Sequence, residues 1–110
     1  MVQKRIPFSS DQLNEIIKTH PTPFHIYDEQ AILDNARRFK AAFAWNEGFK
    51  EYFAVKATPN PYIMKILHQE GFGSDCSSLP ELLLSEKCGI VGDEIMFSSN
   101  DTPVEDYIKA

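Results

Sequence analysis

The sequence predicts an α/β fold with a parallel sheet, and three observations lead there. Short, almost solidly apolar runs such as YFAV (52–55) and IMF (95–97) suit strands covered on both faces, as a parallel sheet demands. Between them lie stretches whose apolar residues recur every three or four positions, the period of an amphipathic helix. The connections are short and rich in Gly, Pro, Asn and Ser. Repeated strand–helix units with short connections require parallel pairing through right-handed crossovers.

The elements follow in order. Ser9, Ser10 and Asp11 offer a cap ahead of Leu13, Ile16 and Ile17, whose spacing gives a short amphipathic helix. HPTP (20–23) breaks it, and PFHIYD (23–28), with Phe24 and Ile26 alternating with polar neighbours, reads as a first strand. Asp28 caps the next helix, whose apolar positions are Ile32, Leu33, Ala36, Phe39 and Phe43; the Asn46 to Gly48 stretch ends it. EYFAVK (51–56) is the second strand. Asn60 caps a helix with Pro61 in its first turn, Ile63, Ile66 and Leu67 turned inward, and Gly71 as its stop. GSDCS (73–77) is a third, short strand. Ser78 caps the following helix, Pro80 and Glu81 fill its first turn, and Gly89 closes it. EIMFSS (94–99) is the fourth strand, and Asp101 or Thr102 with Pro103 opens a last helix that stands barely two turns long at Ala110.

A complete (β/α)8 barrel needs at least ~200 residues, and this chain holds 110. With its last helix cut short, it reads as the N-terminal part of a larger barrel. A small, self-contained flavodoxin-like domain is the alternative.

Composition excludes several classes of function. Apolar residues make up 43% and charged residues 25%, an ordinary globular balance. The 11 basic and 16 acidic residues leave a net charge of −5. No Lys/Arg run exceeds the pair Lys4-Arg5, so neither nucleic acid nor a membrane surface is an expected partner. The N-terminus lacks the apolar core of a secretory signal, and no apolar stretch approaches the ~20 residues of a membrane span. Cys76 and Cys88 lie outside any C-x-x-C or Cys/His metal spacing. They read as small buried hydrophobes with free thiols in a reducing cytoplasm, and no metal centre is expected. There is no glycine-rich phosphate loop of the Walker or dinucleotide type. His20, His25 and His68 are scattered, and His68, beside Gln69 and Glu70, reads as solvated.

In parallel α/β folds the reactive groups collect at the carboxyl ends of the strands. Here those ends carry Lys56, then Asp75 to Ser78, then Ser98 to Asp101. A lysine at the mouth of a core strand is either a surface charge that ends the strand in solvent or an amine held for chemistry. Desolvation at a barrel mouth favours its neutral form, which attacks carbonyls. Asp75 could tune the charge of a nearby amine or cofactor, or simply bond backbone N–H groups in a turn. Glu81 suits the positive end of its helix.

Four blocks in order, TPFHIYD, YFAVKATPNPYIMKIL, GFGSDCSSLPELLLSEKCG and DEIMFSSNDTP, resemble the start of diaminopimelate decarboxylase. That enzyme belongs to the pyridoxal-phosphate decarboxylases with an alanine-racemase-like barrel, and the likeness runs from Thr22 onward. It implies a partial (β/α)8 TIM-type barrel of about three strands. It assigns residues 1–28 to a helix and strand that join a C-terminal β domain, and residues 29–110 to the pyridoxal-phosphate-binding barrel. The lysine of the AVK block, Lys56, would form the internal Schiff base with pyridoxal 5'-phosphate. Asp75 would line the cofactor pocket, Glu81 matches an acidic position behind it, and Ser98 to Asn100 match a loop at the barrel mouth. The implied reaction takes meso-diaminopimelate to L-lysine and carbon dioxide, in a homodimer. The phosphate site, the acidic partner of the pyridine nitrogen and the substrate-binding residues would lie beyond Ala110, so the chain alone is expected to be inactive. A decarboxylase of the same fold acting on ornithine, arginine or a carboxylated polyamine is the neighbouring reading. A non-catalytic homologue acting through protein contacts and a small binding module are the others.

Overall fold

The computed structural model describes residues 6–110; the pair Lys4-Arg5 and the start of the 1–28 segment lie outside the described residues. In chain order the elements are α1 (Ser10–Thr19), α2 (Glu29–Ala42), β1 (Tyr52–Ala54), α3 (Pro61–Gln69), β2 (Gly73–Cys76), α4 (Leu79–Lys87), β3 (Ile95–Phe97) and α5 (Val104–Lys109). The strands form one parallel sheet in the order β1-β2-β3, with Ala54 opposite Asp75 and Asp75 opposite Met96. Spatial order follows chain order without reversal, as in a (β/α)8 barrel and unlike a doubly wound sheet at its switch point. No described helix is long and apolar enough to cross a membrane.

Local chemistry sets most helix ends. Ser9 and Gln12 form a capping box, Gln12 N–H donating to Ser9 Oγ at 3.2 Å and Ser9 N–H to Gln12 Oε1 at 2.8 Å. Asp28 Oδ1 accepts from Ala31 N–H at 3.0 Å, and Asn60 Oδ1 from Tyr62 N–H at 2.9 Å. Helices α3 and α4 close the same way. Gly71 (φ +88°) and Gly89 (φ +84°) take the left-handed conformation, and the N–H groups of Phe72 and Ile90 reach back to Leu67 O at 3.1 Å and Ser85 O at 3.0 Å. This double reach-back satisfies the last carbonyls and delivers an apolar residue into the core; Phe72 and Ile90 are both buried.

The core lies between the sheet and its helices. Val55, Met64, Cys76, Leu82, Cys88 and Ile90 form one cluster, with Ile95 and Phe97 packed on it. Ala36, Ile63, Leu67 and Phe72, with Ile32 and Phe53, form a second cluster that seats α2 on α3. Polar contacts reinforce that seat: Arg37 Nη2 and Nε donate to Glu70 Oε1 at 2.7 and 3.1 Å, and Lys40 Nζ donates to the Glu70 carbonyl. The Arg37 guanidinium holds the Glu70 carboxyl below its ordinary range, first through the hydrogen bond and then through its charge.

Several expectations need correction. PFHIYD forms no strand: residues 24–28 are irregular, because alternation alone makes no strand without a neighbour to complete the ladder, and none lies beside it among the described residues. The apolar strands are not covered on both faces. Along β1 all three residues are half-buried, and on β3 Met96 is exposed, whereas the more polar β2 is the best buried. The cause is position, since β2 is central and the helices cover only one side. Asp101 and Thr102 do not cap α5; Pro103 occupies the cap position without a side-chain bond, and Asp101 takes a left-handed turn at φ +52°. His68 is not solvated: its ring is half-buried, with Nε2 3.7 Å from a Glu94 carboxylate oxygen and Nδ1 buried without a partner.

Candidate functional site

β1 stops at Ala54, and Val55–Ala57 form a single 3₁₀ turn. Lys56 therefore occupies the middle of a turn rather than the last place of a strand, which corrects the expectation for EYFAVK. The turn is firmly held. Val55 is fully buried, Thr58 N–H donates to Val55 O at 3.1 Å, and Asn60 N–H donates to Thr58 O at 2.7 Å. Pro59 and Pro61 restrict the segment beyond it. The side chain of Lys56 is exposed. Among the described residues no carboxylate lies within ion-pair distance of its ammonium, and none desolvates it as expected at a barrel mouth.

One strand over, Asp75 is half-buried near the carboxyl end of β2 and opposite Ala54. Its Oδ1 accepts from Ser98 Oγ at 2.5 Å. Ser98 follows β3, and its N–H donates to Cys76 O at 2.9 Å, extending the β2–β3 pairing by one bond. Side chains alternate along a strand, so Asp75, Met96 and Ser98 share the face turned away from the helices. Lys56, Asp75 and Ser98 thus gather at the carboxyl end of the sheet.

The loop after β2 is fixed by Glu81. Ser77 N–H donates to Glu81 Oε2 at 2.9 Å, and the hydroxyls of Ser77 and Ser78 donate to Oε1 at 3.1 and 3.0 Å. Ser78 holds the cap position of α4, but its hydroxyl gives its proton to Glu81 instead of accepting from the helix. A serine pair three and four residues ahead of a glutamate is a local signal that sequence reasoning could have used. Cys76 is fully buried, 3.3 Å from Ser85 Oγ. Burial pushes its thiol up, outweighing the Ser85 hydrogen bond. Cys76 and Cys88 are both free and buried, as expected.

Sequence reasoning missed Tyr52. Its ring lies across Gly73, where a Cβ would come within 2.5 Å of the ring and of Glu94 O, and its hydroxyl donates to Asp93 O at 2.9 Å. No local pattern signals this contact, because its partners are separated by many residues. The His68–Glu94 pair is equally non-local and sits at the opposite, amino end of the sheet, away from Lys56.

The parallel βα sheet thus carries an exposed amine after one strand and an anchored carboxylate on the next, both at its carboxyl end. The chain belongs to the pyridoxal-dependent decarboxylases: the family described as pyridoxal-dependent decarboxylase, pyridoxal binding domain, matches residues 29–110. It is 52% identical over 95 residues to Protein TabA of Pseudomonas amygdali pv. tabaci, covering 86% of this chain and 22% of that protein. It is 36% identical over 93 residues to the diaminopimelate decarboxylase of Thermoplasma acidophilum, covering 84% of this chain and 23% of that enzyme. Among solved structures, Helicobacter pylori diaminopimelate decarboxylase complexed with L-lysine superposes with a TM-score of 0.71 at 32% identity, over 86% of this chain and 24% of that one. Ornithine decarboxylase from Entamoeba histolytica superposes with a TM-score of 0.75 at 28% identity, over 90% of this chain and 31% of that one. The chain thus spans roughly a fifth of the length of these curated relatives (22% and 23%).

The residues present fit the family's cofactor, pyridoxal phosphate. An exposed primary amine can reach an aldehyde carbonyl, and the carboxylate of the neighbouring strand lies at the same end of the sheet.

Proposed function

We propose that the protein of which this chain is a part is a pyridoxal-phosphate-dependent decarboxylase converting meso-diaminopimelate to L-lysine and carbon dioxide. The observation that carries the reading is Lys56, an exposed amine on a rigid turn after β1, within a pyridoxal-binding domain match. When bound, the cofactor supplies the electron sink that lets carbon dioxide leave an amino acid's α-carbon. The chain's own contribution is geometric. Lys56 would hold the cofactor through its amine, its backbone pinned by buried Val55. Asp75 would face the cofactor from β2, and Glu81 would keep the Ser77–Ser78 loop clear of it. The diaminopimelate substrate is supported by relatives of that name at 30–36% identity. The TabA relative at 52% carries no such name.

The remaining features belong to the same reading. Residues 1–28 would pack on a second, β-rich domain; the family match starting at residue 29 supports that boundary. The active protein would be a cytoplasmic homodimer, and the 110 residues alone would not decarboxylate. A second reading, action on ornithine or another basic amino acid, is favoured by the likeness to ornithine decarboxylase.

The test is carbon dioxide release by the full-length protein on meso-diaminopimelate, ornithine and arginine, with borohydride trapping of pyridoxal phosphate read by intact mass. Release from meso-diaminopimelate alone, with one adduct that disappears in Lys56→Ala, is expected. Release from ornithine instead would move the substrate to the second reading. An adduct that persists in Lys56→Ala would remove Lys56 from its role.

A further inference from the structure

We propose that Ser98 is a positioning residue whose hydroxyl fixes the rotation of the Asp75 carboxylate and so presents its second oxygen toward the cofactor. The inference rests on the reading above that Asp75 faces pyridoxal phosphate.

Three observations carry it. First, the pairing of Asp75 with Met96 puts Ser98, two residues on and on the same face, next to the Asp75 side chain. Second, Ser98 is anchored twice: its N–H donates to Cys76 O at 2.9 Å and its hydroxyl to Asp75 Oδ1 at 2.5 Å. Cys76 is fully buried, so Ser98 is tied to the best-buried strand of the sheet. Third, Ser98 is exposed and belongs to neither core cluster, so its hydroxyl serves no packing purpose.

The physical consequence concerns the last torsion of Asp75. An aspartate's χ2 is broad and close to two-fold, and a free carboxylate at a site samples many orientations. A single donor on Oδ1 removes most of that freedom and leaves Oδ2 as the unoccupied acceptor. Among the described residues no other donor bonds this carboxylate. Orientation arranged before the ligand arrives lowers the ordering cost at binding. Glu81 does something different: it clamps Ser77 and Ser78 and does not touch Asp75.

The experiment uses the full-length holoprotein with Ser98→Ala, Ser98→Thr, Asp75→Ala and the Ser98→Ala/Asp75→Ala double variant. It measures the dissociation constant of pyridoxal phosphate, the visible circular dichroism of the bound cofactor and the thermal midpoint of the cofactor-free protein. Ser98→Ala is expected to weaken cofactor binding by about tenfold, the scale of one hydrogen bond to a charged group, and to change the visible dichroism. Ser98→Thr, which keeps the hydroxyl, stays within about twofold of wild type on the same scale. The cofactor-free thermal midpoint does not move. In the Asp75→Ala background Ser98→Ala adds nothing, the non-additivity expected of a residue acting through another.

Three results would overturn the proposal. In the first, Ser98→Ala leaves affinity and dichroism unchanged while Asp75→Ala alters both; then Asp75 faces the cofactor without help from Ser98. In the second, Ser98→Ala lowers the cofactor-free thermal midpoint and Ser98→Thr does not restore binding; then Ser98 merely staples β2 to β3. In the third, Asp75→Ala changes neither readout; then the underlying reading of Asp75 fails, and Ser98 with it.

Discussion

On the helical side of the sheet, Val55, Cys76 and Ile90 expose at most 1% of their surface, whereas on the opposite side Met96 keeps 49%. Both sides are built from the same three strands. On the first, Phe53, Val55, Ile95 and Phe97 meet α2, α3 and α4 across two clusters. On the second, Asp75, Met96 and Ser98 meet no covering layer among the described residues, and the loops there carry Lys56. The comparison shows how the fold separates its tasks. Apolar burial on one side stabilises the frame, and the uncovered side holds polar groups in fixed positions at little cost to the core.

Removing a side chain from the covered face tests the comparison most strongly. Leu82→Ala, in the middle of the α4 contact, should destabilise the chain by about 3 kcal/mol, read from chemical denaturation; a loss below about 1 kcal/mol on that scale would mean that this face is not the stabilising one. Gly73→Ala is the exception that the uncovered face should show. Its new methyl group would press on the Tyr52 ring and on Glu94 O, and because one neighbour is backbone the strand must shift, at a cost of about 2 kcal/mol. Tyr52→Ala should relieve part of that cost, which a double-mutant cycle would detect.

Met96→Ala sharpens the contrast further. In this chain it should change stability by no more than about 0.5 kcal/mol. In the full-length protein, where opposite strands of a closed barrel would cover Met96, the same change should cost about 2 kcal/mol. Equal costs in both would refute the view that this face is the barrel interior.

The smallest effect concerns the surface pair that seats α2. Glu70 titrates below its ordinary value when folded, chiefly because of Arg37. Its contribution is therefore fully present above the unfolded carboxyl value, about 4.3, and is lost as pH falls through the lower folded value. Thermal midpoints of wild type and Arg37→Met should differ at neutral pH and converge in acid. A gap that persists below both values would assign the Arg37 effect to packing of its aliphatic stem.

Most helix ends were readable in the sequence because their chemistry is local; the starts of α4 and α5 lack the expected side-chain caps. Ser9, Asp28, Asn60, Gly71 and Gly89 each act within five residues, and so the spacing of residue types sufficed. The Lys56 position was readable too, but not its geometry: an apolar run shows that a strand is present and not where its ladder ends. Alternation in PFHIYD misled for a related reason, since the pattern describes a surface that fits a sheet and not the presence of a sheet beside it. His68 looked solvated from its polar neighbours Gln69 and Glu70, yet α3 turns it toward Glu94.

Residue order alone therefore settled the order of the five described helices and the three paired strands, the caps at Ser9, Asp28 and Asn60, the parallel class of the sheet and the location of the amine and carboxylates at its carboxyl end. These rest on backbone preferences and short-range hydrogen bonds, which act between near neighbours. Only the tertiary structure decided which side of the sheet the helices cover, that β1 gives way to a 3₁₀ turn before Lys56, and that Ser98 reaches Asp75 across 23 residues of chain. These depend on which strands lie side by side and in what register, and a one-residue slip between β2 and β3 would put Asp75 and Ser98 on opposite faces.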